Sequence, residues 1–187
     1  MVGWKKGGGG VKFIQTNLSG VLLIQPAMFQ DRRGFFFESY RKDLFDRNGI
    51  SMEFVQDNHS RSARGVLRGL HYQTGPRAQA KLMYVVKGAV FDVVVDVRKS
   101  SKNFGKYLCT TLSAENKTMI YVPTGFAHGF CSLEDGTEFI YKASNYYSPK
   151  NEHGILWNDP ALAIPWPKLD IPYVLSERDR KNPPLLQ

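Results

Sequence analysis

Short apolar runs, separated by Gly, Pro, Asn and Ser, dominate the chain from Val11 onward. Such runs at close spacing are typical of β-strands. The clearest one covers residues 89–98, where side chains should alternate between the two faces of a sheet. One face would carry Phe91, Val93, Val95 and Val97, and the other Asp92, Val94, Asp96 and Arg98. This strand therefore predicts a sheet with unlike faces.

Eight further runs complete the predicted strand content, and helix is scarce. The runs cover residues 20–25, 52–58, 66–73, 81–87, 106–112, 118–122, 127–133 and 137–144. One helix is predicted over residues 41–48, ended by Gly49 at the position after its C-terminus. Because no long helices lie between the strands, we expect an all-β fold, an antiparallel sandwich or jelly-roll barrel with a few short helices.

The length of 187 residues, 42% of them hydrophobic, supports one domain, which we place at residues 11–187. The first ten residues, MVGWKKGGGG, indicate a flexible leader or an added tag. The Pro-rich tail, residues 160–187, is expected to be irregular with a short helix. Because the sequence has no run of about 20 apolar residues and no apolar signal-peptide region, we expect a cytoplasmic protein without a membrane partner.

The charge balance points to an anionic partner. The chain has 25 Lys and Arg against 17 Asp and Glu, a net charge of +8. The basic residues are scattered in pairs rather than concentrated in a stripe, which argues against nucleic acid. The two cysteines, Cys109 and Cys131, form no metal-binding or disulfide pattern and are expected to be buried thiols.

Two of the four histidines lie in unusual surroundings. His71 ends the run GVLRGLHYQ, and His128 ends a P-x-G-x-x-H pattern that begins at Pro123. In a jelly-roll protein this pattern resembles the cupin superfamily, whose metal-binding members add an earlier HxH and a Glu. That earlier half is missing here, and the cationic Lys81 nearby would repel a divalent ion. We therefore expect no metal and no cofactor.

Polar residues at positions inside the predicted strands indicate a bound ligand, because each buried polar group needs a partner. They are Gln56, Asn58, Arg68, Lys81 and Tyr141. Gln56 and Asn58 share one strand face. Arg68 and His71 differ in parity, so both reach one cavity only if the strand bulges or bends between them, which we predict at Gly69.

Seven segments together resemble the dTDP-4-dehydrorhamnose 3,5-epimerase family. They are FVQDNHS at 54–60, GVLRGLHYQ at 65–73, FDVVVDVR at 91–98, GFAHGF at 125–130, YK at 141–142, WNDP at 157–160 and LSERD at 175–179. They follow one another in order from about Val11 to Leu186 without a large gap. This order makes the resemblance far more specific than any single short motif.

The resemblance implies a cupin-like jelly roll, metal-free and homodimeric, that epimerises C3 and C5 of a dTDP-linked 4-keto-6-deoxy sugar for dTDP-rhamnose synthesis. It implies His71 as the general base, with Asp179 as the carboxylate that holds its tautomer. Lys81 would stabilise the enolate, and Tyr141 would return the proton from the opposite ring face.

The resemblance also implies the residues that bind the substrate. Three of them, Arg33, Phe36 and Glu38, would come from an N-terminal segment that crosses to the neighbouring subunit. The others are Gln56, Asp57, Asn58, Arg68, Lys81, His128, Tyr147, Glu152 and Arg178. Arg178 takes the place of a residue that is often lysine in the family, which keeps the charge and changes the geometry.

Three alternatives differ in class or in substrate. A sugar-binding or nucleotide-binding jelly roll without catalysis would not need His71, Asp179, Lys81 and Tyr141 together. A metal-dependent cupin oxygenase or isomerase would need the missing HxH. An epimerase that inverts one carbon only, or acts on a related 4-keto sugar, would keep the same residues, so the motifs do not separate it from the main prediction.

Overall fold

The computed structural model describes residues 10–186 and the backbone of Lys5–Lys6. The predicted leader therefore lies largely outside the described residues. Within it, the backbone of Lys5–Lys6 pairs as a short strand with Phe29 and Gln30. No helix in the described part of the chain is long and apolar enough to cross a membrane.

The described residues form fourteen strands and two short α-helices. The strands are β1 (Lys5–Lys6), β2 (Lys12–Gln15), β3 (Leu22–Gln25), β4 (Phe29–Asp31), β5 (Gly34–Phe36), β6 (Gln56–Ser62), β7 (Leu67–Gln73), β8 (Lys81–Lys87), β9 (Ala89–Asp96), β10 (Tyr107–Ser113), β11 (Met119–Val122), β12 (Phe126–Ser132), β13 (Thr137–Ala143) and β14 (Glu152–Gly154). The helices are α1 (Lys42–Arg47) and α2 (Glu177–Lys181). The predicted all-β class is confirmed.

Two antiparallel sheets face each other. One has the strand order β10-β9-β12-β7-β14, and the other has the order β2-β3-β11-β8-β13-β6. A small third sheet, β1-β4-β5, contains the hairpin of β4 and β5. We call the first the five-stranded sheet and the second the six-stranded sheet.

All nine predicted strands are present, but the run at 52–58 begins late. The strand β6 starts at Gln56, because Met52 and Phe54 pack instead against the core beneath α1. The predicted helix is confirmed as α1, and Gly49 after it has a φ of 83°. The short strands β1, β2, β4, β5 and β14 were not predicted.

Three apolar layers hold these elements together. The first fills the space between the two large sheets and includes Met83, Val94, Phe130 and Phe139. The second lies between the outer face of the six-stranded sheet and α1. The third lies on the outer face of the five-stranded sheet, where the C-terminal tail packs and contributes Leu162.

The strand β9 has the two unlike faces that its alternation predicts, and both of them are buried. Val93 and Val95 belong to the layer beneath the tail, and Val94 belongs to the layer between the sheets. Asp92 and Asp96 are also fully buried. Because the tail covers the outer face, alternation here separates two interiors rather than an interior from solvent.

The two thiols differ in exposure. Cys131 is buried as expected, whereas Cys109 is only half-buried. Burial raises the pKa of each thiol to about 11, so both stay protonated at neutral pH.

Candidate active site

The register of the five-stranded sheet brings the predicted polar residues of β7 and β12 together. His71 pairs with His128, and Arg68 pairs with Phe130. On the other side of β12, Phe130 pairs with Asp92 of β9. The side chains of His71, Arg68, His128 and Phe130 all line one cavity of about 300 Å³ between the sheets.

A bulge at Gly69 makes this arrangement possible. The pairing of β7 with β12 shifts register between His128 and Phe130, so three steps on β7 face two steps on β12. Gly69 has a φ of 119°, a conformation that favours glycine. The bend predicted from the parity of Arg68 and His71 is confirmed.

The six-stranded sheet supplies the opposite wall. Lys81 and Met83 come from β8, and Phe139 and Tyr141 come from β13. The complete lining is Ser60, Arg68, His71, Lys81, Met83, His128, Phe130, Phe139, Tyr141, Ser176 and Asp179. The cavity thus has an apolar floor with cationic, imidazole and phenol groups around it.

His71 and Asp179 form a hydrogen-bonded pair. Nε2 of His71 lies 2.6 Å from Oδ1 of Asp179, and Oδ2 of Asp179 accepts a 2.9 Å hydrogen bond from the hydroxyl of Ser176. Burial raises the pKa of Asp179, but the hydrogen bonds from His71 and Ser176 outweigh it and hold the pKa below its ordinary value. The carboxylate is therefore ionised and fixes the tautomer of His71, which leaves Nδ1 for a ligand.

A second pair joins His128 to Asp92. Nε2 of His128 lies 2.7 Å from Oδ2 of Asp92, and both side chains are buried. The ring of His128 also stacks on Phe139, with 6.1 Å between centroids. These two contacts fix the orientation of the His128 ring.

Lys81 and Tyr141 are perturbed by their surroundings. Burial lowers the pKa of Lys81 to about 8, although the negative charges of Glu152 and Asp92 act in the opposite direction. Burial and the charge of Glu152 raise the pKa of Tyr141, so its phenol keeps its proton at neutral pH. The Lys81 ammonium lies 5.8 Å from the centroid of the Tyr141 ring.

An ionic cluster lies beside the cavity and joins β14, α2 and the loop before β14. Glu152 accepts a 2.7 Å hydrogen bond from the hydroxyl of Tyr147 and another from the guanidinium of Arg178. Burial raises the pKa of Glu152, but these two hydrogen bonds outweigh it and keep the pKa below its ordinary value. Three of the predicted binding residues are thus brought together.

Gln56 and Asn58 lie next to this cluster on the inner face of β6. The amide of Gln56 donates a 3.0 Å hydrogen bond to Asn58 and accepts one from the backbone N–H of Tyr147. The Nδ2 group of Asn58 is buried without a hydrogen-bond partner among the described residues. A buried donor of this kind is available to a ligand.

Four predicted binding residues lie away from the cavity of the single chain. Asp57 alternates to the outer face of β6, where it forms a 2.9 Å ion pair with Lys142. Arg33 and Phe36 belong to the exposed hairpin of β4 and β5, and Glu38 follows it. Arg33 forms a 2.6 Å ion pair with Asp31 at the turn of that hairpin.

Sequence reasoning missed several residues of the site. Asp92 contacts His128 directly. Ser176 acts on His71 through its hydrogen bond to Asp179. Ser60, Met83, Phe130 and Phe139 complete the lining. The alternation along β9 placed Asp92 on a face with Val94, but only the pairing with β12 shows that this face looks into the cavity.

The assembled groups suit proton transfer at carbon. A histidine held by a carboxylate is a general base, a desolvated ammonium stabilises developing negative charge, and a neutral phenol on the facing sheet is an acid. No three His, Cys, Asp or Glu side chains within the described residues form a cluster that could hold a metal ion. Fold and site together define an acid–base enzyme built inside a β-barrel.

Comparisons with known proteins identify the family. A sequence profile described as dTDP-4-dehydrorhamnose 3,5-epimerase matches residues 15–187. The chain is 55% identical over 167 residues to dTDP-4-dehydrorhamnose 3,5-epimerase of Shigella flexneri, covering 89% of this chain and 91% of that one. The chain belongs to the dTDP-4-dehydrorhamnose 3,5-epimerase family, whose members are isomerases.

Solved structures agree with this assignment. The dTDP-6-deoxy-D-glucose-3,5-epimerase of Legionella pneumophila, in complex with dTDP-4-keto-L-rhamnose, has a TM-score of 0.90 and 44% identity, covering 94% of this chain and 93% of that one. A 3′-monoepimerase from Streptomyces bikiniensis, in complex with dTDP-quinovose, has a TM-score of 0.87 and 37% identity, with coverages of 92% and 87%. The prediction of a cupin-like jelly roll is confirmed.

Proposed function

We propose that this chain converts dTDP-4-dehydro-6-deoxy-D-glucose to dTDP-4-dehydro-L-rhamnose by inverting C3 and C5, as a step in dTDP-rhamnose synthesis. The observation that carries the proposal is the hydrogen-bonded pair of His71 and Asp179 opposite Lys81 and Tyr141 across one cavity. A C–H bond next to a ketone is acidic enough for such a base because the electrons pass to the carbonyl oxygen.

Each inversion would proceed in two balanced steps. His71 takes the proton from the carbon through Nδ1, the C–H electrons form a C–C double bond, and the carbonyl becomes an enolate beside the Lys81 ammonium. The phenol of Tyr141 then gives its proton to the other face of that carbon, the carbonyl re-forms, and the phenolate recovers a proton through solvent and the base. His71 on β7 and Tyr141 on β13 lie on facing sheets, as inversion requires.

The nucleotide would lie towards Gln56, Asn58, Tyr147, Glu152 and Arg178, beside the sugar cavity. A diphosphate carries negative charge that suits the Arg178 guanidinium. The guanidinium would then bind both the diphosphate and the carboxylate of Glu152. His128 and Arg68 would contact the sugar within the cavity. This placement uses the buried donor of Asn58.

The proposal includes a homodimer that exchanges N-terminal segments. Arg33, Phe36 and Glu38 lie outside the cavity of their own chain, and exchange would bring them to the site of the partner. Phe35 and Phe36 are each 51% exposed on this hairpin, an apolar surface that a partner would cover. Light scattering is expected to give twice the mass of the chain, and a monomer at working concentration would refute this part. The proposal also places the reaction in the cytoplasm, and cell fractionation tests it.

The first test is deuterium incorporation. The purified protein is incubated with dTDP-4-dehydro-6-deoxy-D-glucose in D₂O, and each sugar position is read by NMR. Deuterium at both C3 and C5 supports the double epimerase. Deuterium at only one carbon supports the alternative of a single-carbon epimerase. The similarity of this chain to the 3′-monoepimerase is the reason to test that alternative. No incorporation while dTDP binds would refute this reaction.

A further inference from the structure

Asp92 is a buried carboxylate that the reaction described above does not use. It lies in the middle of β9, fully excluded from solvent, on the face that looks into the space between the sheets. Its Oδ2 atom is 2.7 Å from Nε2 of His128, and its Oδ1 atom has no hydrogen-bond partner within the described residues. A buried, half-satisfied carboxylate is costly, so its presence calls for a physical reason.

The sheet register explains how Asp92 reaches His128. Phe130 of β12 pairs with Asp92, and His128 pairs with Val94. Asp92 is therefore the diagonal neighbour of His128 on the same inner face of the sheet. Stacking on Phe139 fixes the plane of the imidazole, and the hydrogen bond to Asp92 fixes its rotation within that plane.

This geometry determines what His128 offers to the cavity. A carboxylate accepts, so Nε2 must carry the hydrogen, and in the neutral imidazole Nδ1 is then an acceptor. Nδ1 of His128 has no hydrogen-bond partner among the described residues, and His128 lines the cavity. A hydroxyl group of a sugar is a donor of the kind that such an acceptor binds.

We propose that Asp92 is a positioning residue, which holds His128 by Nε2 and thereby presents Nδ1 as a hydrogen-bond acceptor to a sugar hydroxyl. The inference rests on the proposed function for the identity of the sugar. It adds a second imidazole-carboxylate pair whose task is orientation of the substrate, beside the pair of His71 and Asp179 that moves the proton. The negative charge of Asp92 also acts on Lys81, where it opposes the effect of burial on the ammonium.

The test is a double-mutant cycle on kcat/KM for the nucleotide sugar. His128→Asn removes the acceptor in its present position, and Asp92→Asn removes the charge that holds it. Each single variant is expected to lower kcat/KM about tenfold or more, in line with one lost hydrogen bond to a buried group. Because Asp92 acts through His128, the double variant is expected to be about as slow as His128→Asn alone. Effects that multiply would overturn the proposal.

A matched control lies on the same strand. Asp96 is equally buried and faces the same way, but it pairs with Arg98 and Ser101 away from the cavity. Asp96→Asn is expected to lower the free energy of unfolding. The factor by which His128→Asn lowers kcat/KM is expected to be the same with and without Asp96→Asn. The affinity for dTDP alone is expected to be unaffected by Asp92→Asn, since the proposed function places the nucleotide beside Tyr147 and Arg178 rather than at His128. A loss of dTDP affinity as large as the loss of kcat/KM would indicate a general structural role and refute the positioning role.

A measurement without turnover separates this proposal from the proposed function and needs no variant at Asp92 to fold. In protein labelled with ¹⁵N-histidine, NMR reads which ring nitrogen of His128 carries hydrogen, and His128→Asn assigns the signal. A slowly exchanging hydrogen on Nε2 with an unprotonated Nδ1 supports the proposal whether or not the sugar is turned over. Hydrogen on Nδ1 in the neutral ring would overturn it.

Discussion

His71 and His128 are paired directly across β7 and β12, yet each binds a different carboxylate through Nε2, Asp179 at 2.6 Å and Asp92 at 2.7 Å. The side chain of His71 is 27% exposed, whereas that of His128 is 8% exposed. The two imidazoles therefore differ in access rather than in the kind of partner. A base that exchanges its proton with solvent must be reached by solvent, and His71 meets this condition.

We expect His71→Ala to lower kcat by about 10²- to 10⁴-fold, the usual contribution of a general base. Deuterium incorporation at both carbons is expected to be lost together, while dTDP still binds. His59→Ala is the matched control, because His59 is exposed and contacts Glu138 on the outer face. Normal incorporation in His71→Ala would show that another group removes the proton.

Ser176→Ala is expected to affect both stability and catalysis. The Ser176 hydroxyl caps α2 by accepting from the backbone N–H of Asp179, and it also donates to the Asp179 carboxylate. Loss of such a cap costs about 1 kcal/mol of unfolding free energy, measured by urea denaturation. Because Asp179 loses a hydrogen bond that holds it against His71, kcat should fall while KM changes little.

Lys181→Ala on the same helix provides the comparison for Ser176→Ala. Its ammonium lies on the surface and contacts the exposed carboxylate of Glu177. We expect no change in kcat for this variant. Equal kinetic effects of the two variants would indicate that the helix as a whole, rather than the hydroxyl of Ser176, positions Asp179.

The pH dependence of kcat/KM should report the ammonium of Lys81. Its pKa of about 8 predicts that kcat/KM falls as pH rises through that value, because the neutral amine does not stabilise an enolate. Lys81→Arg should remove this alkaline limb, since a guanidinium stays protonated. Lys81→Met should lower kcat by about 10²- to 10³-fold and raise KM little.

Lys87→Arg on the exposed end of the same strand is the control for Lys81. Its pH profile is expected to match that of the wild type. An alkaline limb that persists in Lys81→Arg would assign this titration to a different group. A change in KM alone for Lys81→Met would refute the role in enolate stabilisation.

Gly69→Ala should destabilise the protein by at least about 2 kcal/mol, because a side chain is disfavoured at this φ. The new Cβ would also lie 2.5 Å from Cα of Gly129. The matched control is Gly49→Ala, where φ is also positive but no atom lies within 4 Å. Urea denaturation compares the two, and equal losses would mean that the close approach of β7 and β12 costs nothing.

The bulge and the helix show what a single sequence predicts well. Local parity was enough to predict the bend at Gly69, because Arg68 and His71 are only three residues apart. The glycine after α1 likewise marked the end of the helix. Both features depend on neighbours along the chain, so the local pattern contains the information.

The partners of Asp92 and Asp179 are not predicted by local sequence patterns. Whether Asp92 meets a histidine depends on how β9 and β12 are paired, and the alternation along β9 alone does not determine that. Asp179 came from the resemblance to a family, since 108 residues separate it from His71. Met52 and Phe54 were predicted as strand because burial beneath α1 and pairing in a sheet both favour apolar residues.

The late position of Asp179 in the chain has a consequence for assembly. Every strand that lines the cavity precedes residue 144, but the carboxylate that completes the base lies in α2, which reaches β7 only after the tail has wrapped across the five-stranded sheet. Contacts between residues so far apart in sequence form slowly, because the loop they close costs entropy. A refolding chain should therefore regain its circular dichroism before it regains turnover. Turnover thus requires the C-terminal segment to be folded in place, whereas the circular dichroism of the sheets does not.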